Sequence, residues 1–214
     1  MLLLATLRGS WGQMLHFENL IVLHLLIVAL APAADAWSLD ARRLDADSAA
    51  DASEVEPSVR YGWPLSLAGL VTAITYVIAG IAKLRYGGLD WVVGDTLRNH
   101  IAYSAARLDL IGGTPPVLAE FAIEQSWVLP ILPRFAVALE LGALVALLGG
   151  RVRTIWVIAT WLMHVGIYLT MAVGFPAPLF GLAFAPFFAL ERIPGRYGRF
   201  SRVSLNAWTS LIAA

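Results

Sequence analysis

Residues 63–82 (WPLSLAGLVTAITYVIAGIA) carry no charge over twenty positions, and Lys83 follows directly. A helix of that length spans about 30 Å, the thickness of a bilayer's hydrocarbon core, at about 1.5 Å per residue. Such a segment must either fill the centre of a large domain or cross lipid. Composition decides between them. The chain has 214 residues, of which 59% are hydrophobic and 14% charged, whereas soluble domains carry about 25% charged residues. It therefore reads as an integral membrane protein with the lipid bilayer as its first partner. With no cysteine, disulfides, thiolate catalysis and Cys-ligated metals are excluded. A formal net charge of zero leaves no field to attract nucleic acid.

The expected fold is all-α, a polytopic helical membrane bundle of about five spans with interfacial helices. The spans fall at residues 17–34, 62–82, 133–148, 154–173 and 178–190. The last is short and contains Pro186, which predicts a kinked or incomplete crossing. Leu84-Arg85-Tyr86-Gly87-Gly88 reads as the start of a polar loop, and Gly149 to Arg153 as a tight hairpin. Residues 83–132 read as loops and interfacial helices, with 117–132 a candidate to dip into the membrane. Pro133 suits a first helical turn. Residues 35–60, with seven acidic and three basic side chains, form a solvated loop, and 201–214 a short C-terminal tail. The run 20–34 resembles a signal peptide, but Glu18 and the scarcity of preceding positive charge favour a retained helix. Residues 1–7 (MLLLATL) read as the last two turns of a span that begins upstream, so the chain is expected to be the C-terminal part of a longer protein.

Loop charges set an orientation. Arg42, Arg43, Arg60, Arg151, Arg153 and the tail arginines 192, 196, 199 and 202 lie on one side. Arg8, Lys83, Arg85, Arg98 and Arg107 lie on the other. The excess places the first side, with the C-terminal tail, in the cytoplasm of a multi-pass cell-membrane protein.

Ionisable residues inside spans lean towards function. Those in or at the spans are His16, His24, Lys83, Glu140 and His164. Helical spacing puts Thr72, Tyr76, Ala79 and Lys83 on one face, and Trp161, His164, Tyr168 and Met171 on another. Glu140 sits mid-span, where an unpaired carboxylate costs about 2.5–3.5 kcal/mol on insertion scales; Lys83 and His164 are its candidate partners. The structural alternatives are equally concrete. Lys83 can snorkel to the headgroups, His24 and Glu140 can simply tie helices together, and terminal Tyr and Trp residues belong to an interfacial belt. The His164–Tyr168 spacing is too short a pattern to define a metal or haem site.

Several segments occur together in order: Leu15-His16-Phe17-Glu18-Asn19-Leu20, Ala36-Trp37-Ser38-Leu39-Asp40, YVIAGIAKL at 76–84, LDWVVGD at 89–95, His164, and Met171 to Pro176. In this the chain resembles the HTTM (horizontally transferred transmembrane) domain, the membrane module shared with vitamin K-dependent γ-carboxylases, over residues 1–200. The resemblance implies that Lys83 is the catalytic base and that His16 assists it; the polar residues inside the spans add Glu140 and His164 as further candidate catalytic residues and Tyr76 as a candidate cofactor contact. A quinone or hydroquinone is the implied cofactor. A lysine acts as base only as the neutral amine, the form that an apolar pocket favours. Such an amine can deprotonate a hydroquinone and start oxygen-dependent epoxidation, and the strong base produced would take a proton from a substrate carbon. Where the carboxylases carry a second lysine beside the catalytic one, this chain has Ala82.

Two classes of function follow. One is a membrane enzyme of carboxylase-like or redox type with Lys83 as base. The other is a non-enzymatic membrane module for partner anchoring, immunity or export, with a protein partner encoded nearby; a DoxX-like quinone-linked redox subunit is close in kind. Alternating-access transport lacks its usual sign, a pair of interrupted helices in matching halves.

Overall fold

A computed structural model describes residues 19–32 and 59–188, apart from 94 and 126, and every described element is helical. The elements are α1 (Asn19–Leu30), α2 (Val59–Gly87), α3 (Asp90–Val93), α4 (Thr96–Leu110), α5 (Ala119–Glu124), α6 (Val128–Leu141), α7 (Gly150–Met171) and α8 (Pro176–Leu179). Two 3₁₀ segments, Ala143–Leu148 and Leu182–Phe187, complete the set. The class is all-α.

Among the described residues, two helices are long and apolar enough to cross a membrane: residues 62–87 of α2 and the whole of α7. Only 33% and 28% of their apolar windows are buried against the rest of the protein. A core helix of a soluble domain hides most of its surface; these do not. Ile74, Ile78 and Ile81 on α2, and Ile155, Ile158 and Leu162 on α7, all face outward. The other expected spans are shorter as helices. Residues 17–34 give a twelve-residue α1. Residues 133–148 divide between the end of α6 and a 3₁₀ segment. Residues 178–190 reduce to the four-residue α8 and a second 3₁₀ segment, because Gly181 at φ +75° turns the chain and Pro186 follows.

Several boundaries move for identifiable reasons. The expected polar loop after Lys83 is helix up to Gly87, since only at Gly88, with φ +59°, does the backbone leave the right-handed region. Pro133 lies inside α6, and Pro130 occupies the first turn instead. The hairpin expected at 149–153 is confined to Gly149 and Gly150, at φ +81° and +57°; Arg151 to Arg153 are already helical. Helix α7 stops at Met171 because Ala172 takes a left-handed conformation, φ 53°. Val59 and Arg60, expected in the solvated loop, open α2. The rest of that loop, residues 1–7 and the tail at 201–214 lie outside the described residues.

The contacts divide the chain into two compact units. One comprises residues 1–71 and 185–214. In it His24 Nε2 pairs with the Ala68 carbonyl oxygen at 3.3 Å, the helix-tying role expected of His24. Phe187 packs against Gly69, where an added Cβ would sit 3.4 Å from the ring.

The second unit, residues 72–184, holds the remaining polar features. The region 83–132, expected as loops and interfacial helices, contains a small core of Ile101, Ala119, Ala122 and Leu129, with Leu97, Ala105, Ile123 and Met171 packed around it. The amide of Leu118 donates to the Leu169 carbonyl at 2.9 Å, satisfying one of the acceptors exposed at the end of α7. The Trp156 indole donates to the Leu139 carbonyl at 3.0 Å and so ties α7 to α6.

Candidate functional site

Helix α2 presents Thr72, Tyr76, Gly80 and Lys83 along one face. Thr72 is fully buried, and its hydroxyl donates to the Ala183 carbonyl at 3.1 Å. Tyr76 is buried and its hydroxyl lies 2.8 Å from His164 Nε2 on α7. Two turns further on, Lys83 Nζ donates to both oxygens of Glu140 on α6, at 2.6 and 2.8 Å. The expected pattern on α2 is thus present, and it is fully engaged with two other helices.

Gly80 is the geometric reason. A Cβ there would lie 3.0 Å from Leu141 Cδ2 and 3.1 Å from Glu140 Cβ. Removing it lets α2 and α6 approach until the ammonium reaches the carboxylate. A second glycine acts at the helix end, where a Cβ on Gly87 would fall 2.3 Å from Trp91 Cδ1. The indole therefore lies across Gly87, with its ring centre 5.5 Å from Lys83 Nζ and stacked on the His100 imidazole at 5.8 Å. Lys83 does not snorkel away. Its side chain is 24% exposed and that of Glu140 is 7% exposed, so the pair sits at the margin of the interior.

Aromatic rings surround the Tyr76–His164 pair. Trp156 meets Tyr76 edge to face at 5.3 Å, Phe184 stacks on Tyr76 at 6.3 Å, and Phe175 meets the edge of His164 at 5.1 Å. Such contacts fix both rings in place. The two pairs share helix α2, with Lys83 two turns beyond Tyr76.

Of the sequence-derived candidates, Tyr76, Lys83, Glu140 and His164 come together as two adjoining pairs. Glu140 selects Lys83 over His164, and His164 takes Tyr76. His16 lies outside the described residues. The stripe drawn through Trp161, His164, Tyr168 and Met171 does not hold together: Trp161 and Tyr168 are 40% and 52% exposed, and the Trp161 indole donates instead to the Leu179 carbonyl at 3.1 Å. The buried face of α7 runs through Trp156, Thr160 and His164. Thr160 was missed, although a hydroxyl four residues before a mid-span histidine is a readable signal. Among the described residues, no three His, Asp or Glu side chains gather as a metal site.

No protein-family model, no curated protein and no solved structure matches this chain.

Proposed function

We propose that this chain is a multi-pass protein of the cell membrane, of the HTTM type, with its C-terminal tail on the cytoplasmic side. In this reading Lys83 serves as the base toward a quinone-like, lipid-soluble cofactor. The observation that carries it is the Lys83–Glu140 pair, joined through both carboxylate oxygens and set among helices whose outer faces are apolar. Ionisable groups are costly in lipid and are usually retained there for function.

The residues suit such a cofactor. The amine is partly reachable, an indole face lies beside it, and buried aromatic rings line the neighbouring pair. When bound, a hydroquinone supplies a hydroxyl proton and two electrons. Glu140 holds a proton that Lys83 gives up, which leaves Nζ a neutral amine able to accept another. Trp91 limits where the amine can move, and Tyr76 with His164 keeps the adjoining space polar.

The test is titration of a short-chain hydroquinone into the purified full-length chain in lipid nanodiscs, followed by quenching of tryptophan fluorescence. Saturable quenching that weakens at least tenfold in Lys83→Ala supports the reading. Saturable binding identical in wild type and variant removes Lys83 from it, and absence of binding removes the cofactor.

A second reading has its own observation. Lys83 and Glu140 satisfy each other, as an interhelical lock would. A non-enzymatic module for anchoring, immunity or export, or a DoxX-like quinone-linked subunit, would use the lock only for folding. Co-purification of a neighbouring gene's product that survives Lys83→Ala favours the anchoring form.

A further inference from the structure

Two buried polar atoms on α7 have no hydrogen-bond partner: Nδ1 of His164 and Oγ1 of Thr160. The residues are four apart on one helix face, where side chains are about 5–6 Å from each other at Cβ. Thr160 is fully buried and His164 is 6% exposed. A buried polar atom left unmatched is costly, and native proteins almost always satisfy it.

Thr160 is unusual within its own helix. Helix α7 has three threonines. Thr154 turns its hydroxyl back to the Gly150 carbonyl at 3.3 Å, and Thr170 to the Gly166 carbonyl at 2.8 Å. This bond to the carbonyl four residues earlier is the cheapest one open to a helical threonine. Thr160, the most deeply buried of the three, does not make it.

His164 has a matching peculiarity. If the Tyr76 hydroxyl donates to Nε2, the imidazole proton sits on Nδ1 and one donor is left over. If Nε2 donates to Tyr76, both the phenol proton and Nδ1 are left over. The first arrangement strands fewer groups and makes Nδ1–H a donor pointing away from Tyr76.

We propose that Thr160 Oγ1 and His164 Nδ1 together hold one buried water molecule, which extends the Tyr76–His164 pair into a hydrogen-bonded chain through the interior of the bundle. Water fits because it both accepts and donates: it takes the Nδ1–H and gives a proton to the threonine oxygen. Two polar partners meet the minimum that buried waters usually have. The chain Tyr76–His164–water–Thr160 joins α2 to the buried face of α7 and satisfies two atoms that would otherwise be stranded. It stands on side-chain geometry alone, whatever the cofactor.

The experiment is solid-state NMR of the full chain in lipid nanodiscs with ¹⁵N-labelled histidine, the His164 ring being assigned from its disappearance in His164→Gln. Wild type should show a protonated Nδ1 with a cross-peak to a water proton that persists at long exchange times. Thr160→Ser should keep that cross-peak, and Thr160→Val, which retains the shape without the hydroxyl, should lose it. Absence of the water cross-peak in wild type overturns the proposal without recourse to any variant. A cross-peak unchanged in a helical, folded Thr160→Val also overturns it.

Discussion

Two ion pairs in this protein differ in nearly every physical respect. Lys83 and Glu140 join α2 to α6, far apart in sequence, through two hydrogen bonds and with side chains 24% and 7% exposed. Asp95 and Arg98 lie within one turn at the start of α4, 3.4 Å apart and 76% and 42% exposed. The first pair is specified by tertiary packing, with Gly80 opening the space for it. The second follows from sequence adjacency alone and is screened by its surroundings. Of these two pairs, the one with structural meaning is the one that a glycine and a packed ring hold between two helices.

Breaking the interior pair from one side should have the largest effect. Lys83→Ala or Glu140→Ala leaves one buried charge unmatched, and each should cost about 3–5 kcal/mol in denaturant unfolding from detergent micelles. Replacing both partners with apolar residues, Lys83→Met with Glu140→Leu, should recover most of that loss, because the penalty comes from the orphaned charge. Single variants as stable as wild type would place the pair in solvent.

Next is the contact that permits the pair. Gly80→Leu drives a side chain into Leu141 and the Glu140 Cβ, and should cost about 1–3 kcal/mol through overpacking. It should also cancel part of the effect of a subsequent Lys83→Ala, since the salt bridge is already strained. Strict additivity of the two would show that Gly80 does not set the pair's geometry.

Tyr76→Phe keeps the ring stacking and deletes one hydrogen bond to His164. A loss of about 1 kcal/mol is expected for an interhelical bond of this type. Asp95→Ala should be the mildest, within about 0–1 kcal/mol and vanishing at high salt. Were it to rival Glu140→Ala, the contrast between the two pairs would be lost.

Much of this was legible in the sequence. The uncharged run before Lys83 gave the helix, and its four-three-four spacing gave the face that carries Thr72, Tyr76 and Lys83. Glu140 and His164 stood out because apolar surroundings make polar residues conspicuous. Lys83 and His164 were both readable as partners for Glu140, but the choice between them was not, since it depends on how far α2 slides along α6 and α7, which residue types do not encode. Gly80 was the available clue. On α7, Trp161 and Tyr168 drew attention as aromatic residues at helical spacing, while the smaller Thr160 marked the true interior. The ends of α6 and of the last expected span depend on local turns at Gly142, Gly149 and Gly181 and on prolines placed within the helices; apolar content alone cannot distinguish these from continuous spans.

The most direct measurement is a double-mutant cycle between Lys83 and Glu140 in lipid nanodiscs, using Lys83→Met and Glu140→Leu singly and together. A buried, directly bonded pair should give a coupling free energy larger than about 3–5 kcal/mol, the loss expected from either single variant, so that the double variant is more stable than either single one. Effects that simply add, within about 0.3–0.5 kcal/mol, would contradict a direct bond between these residues in the folded protein.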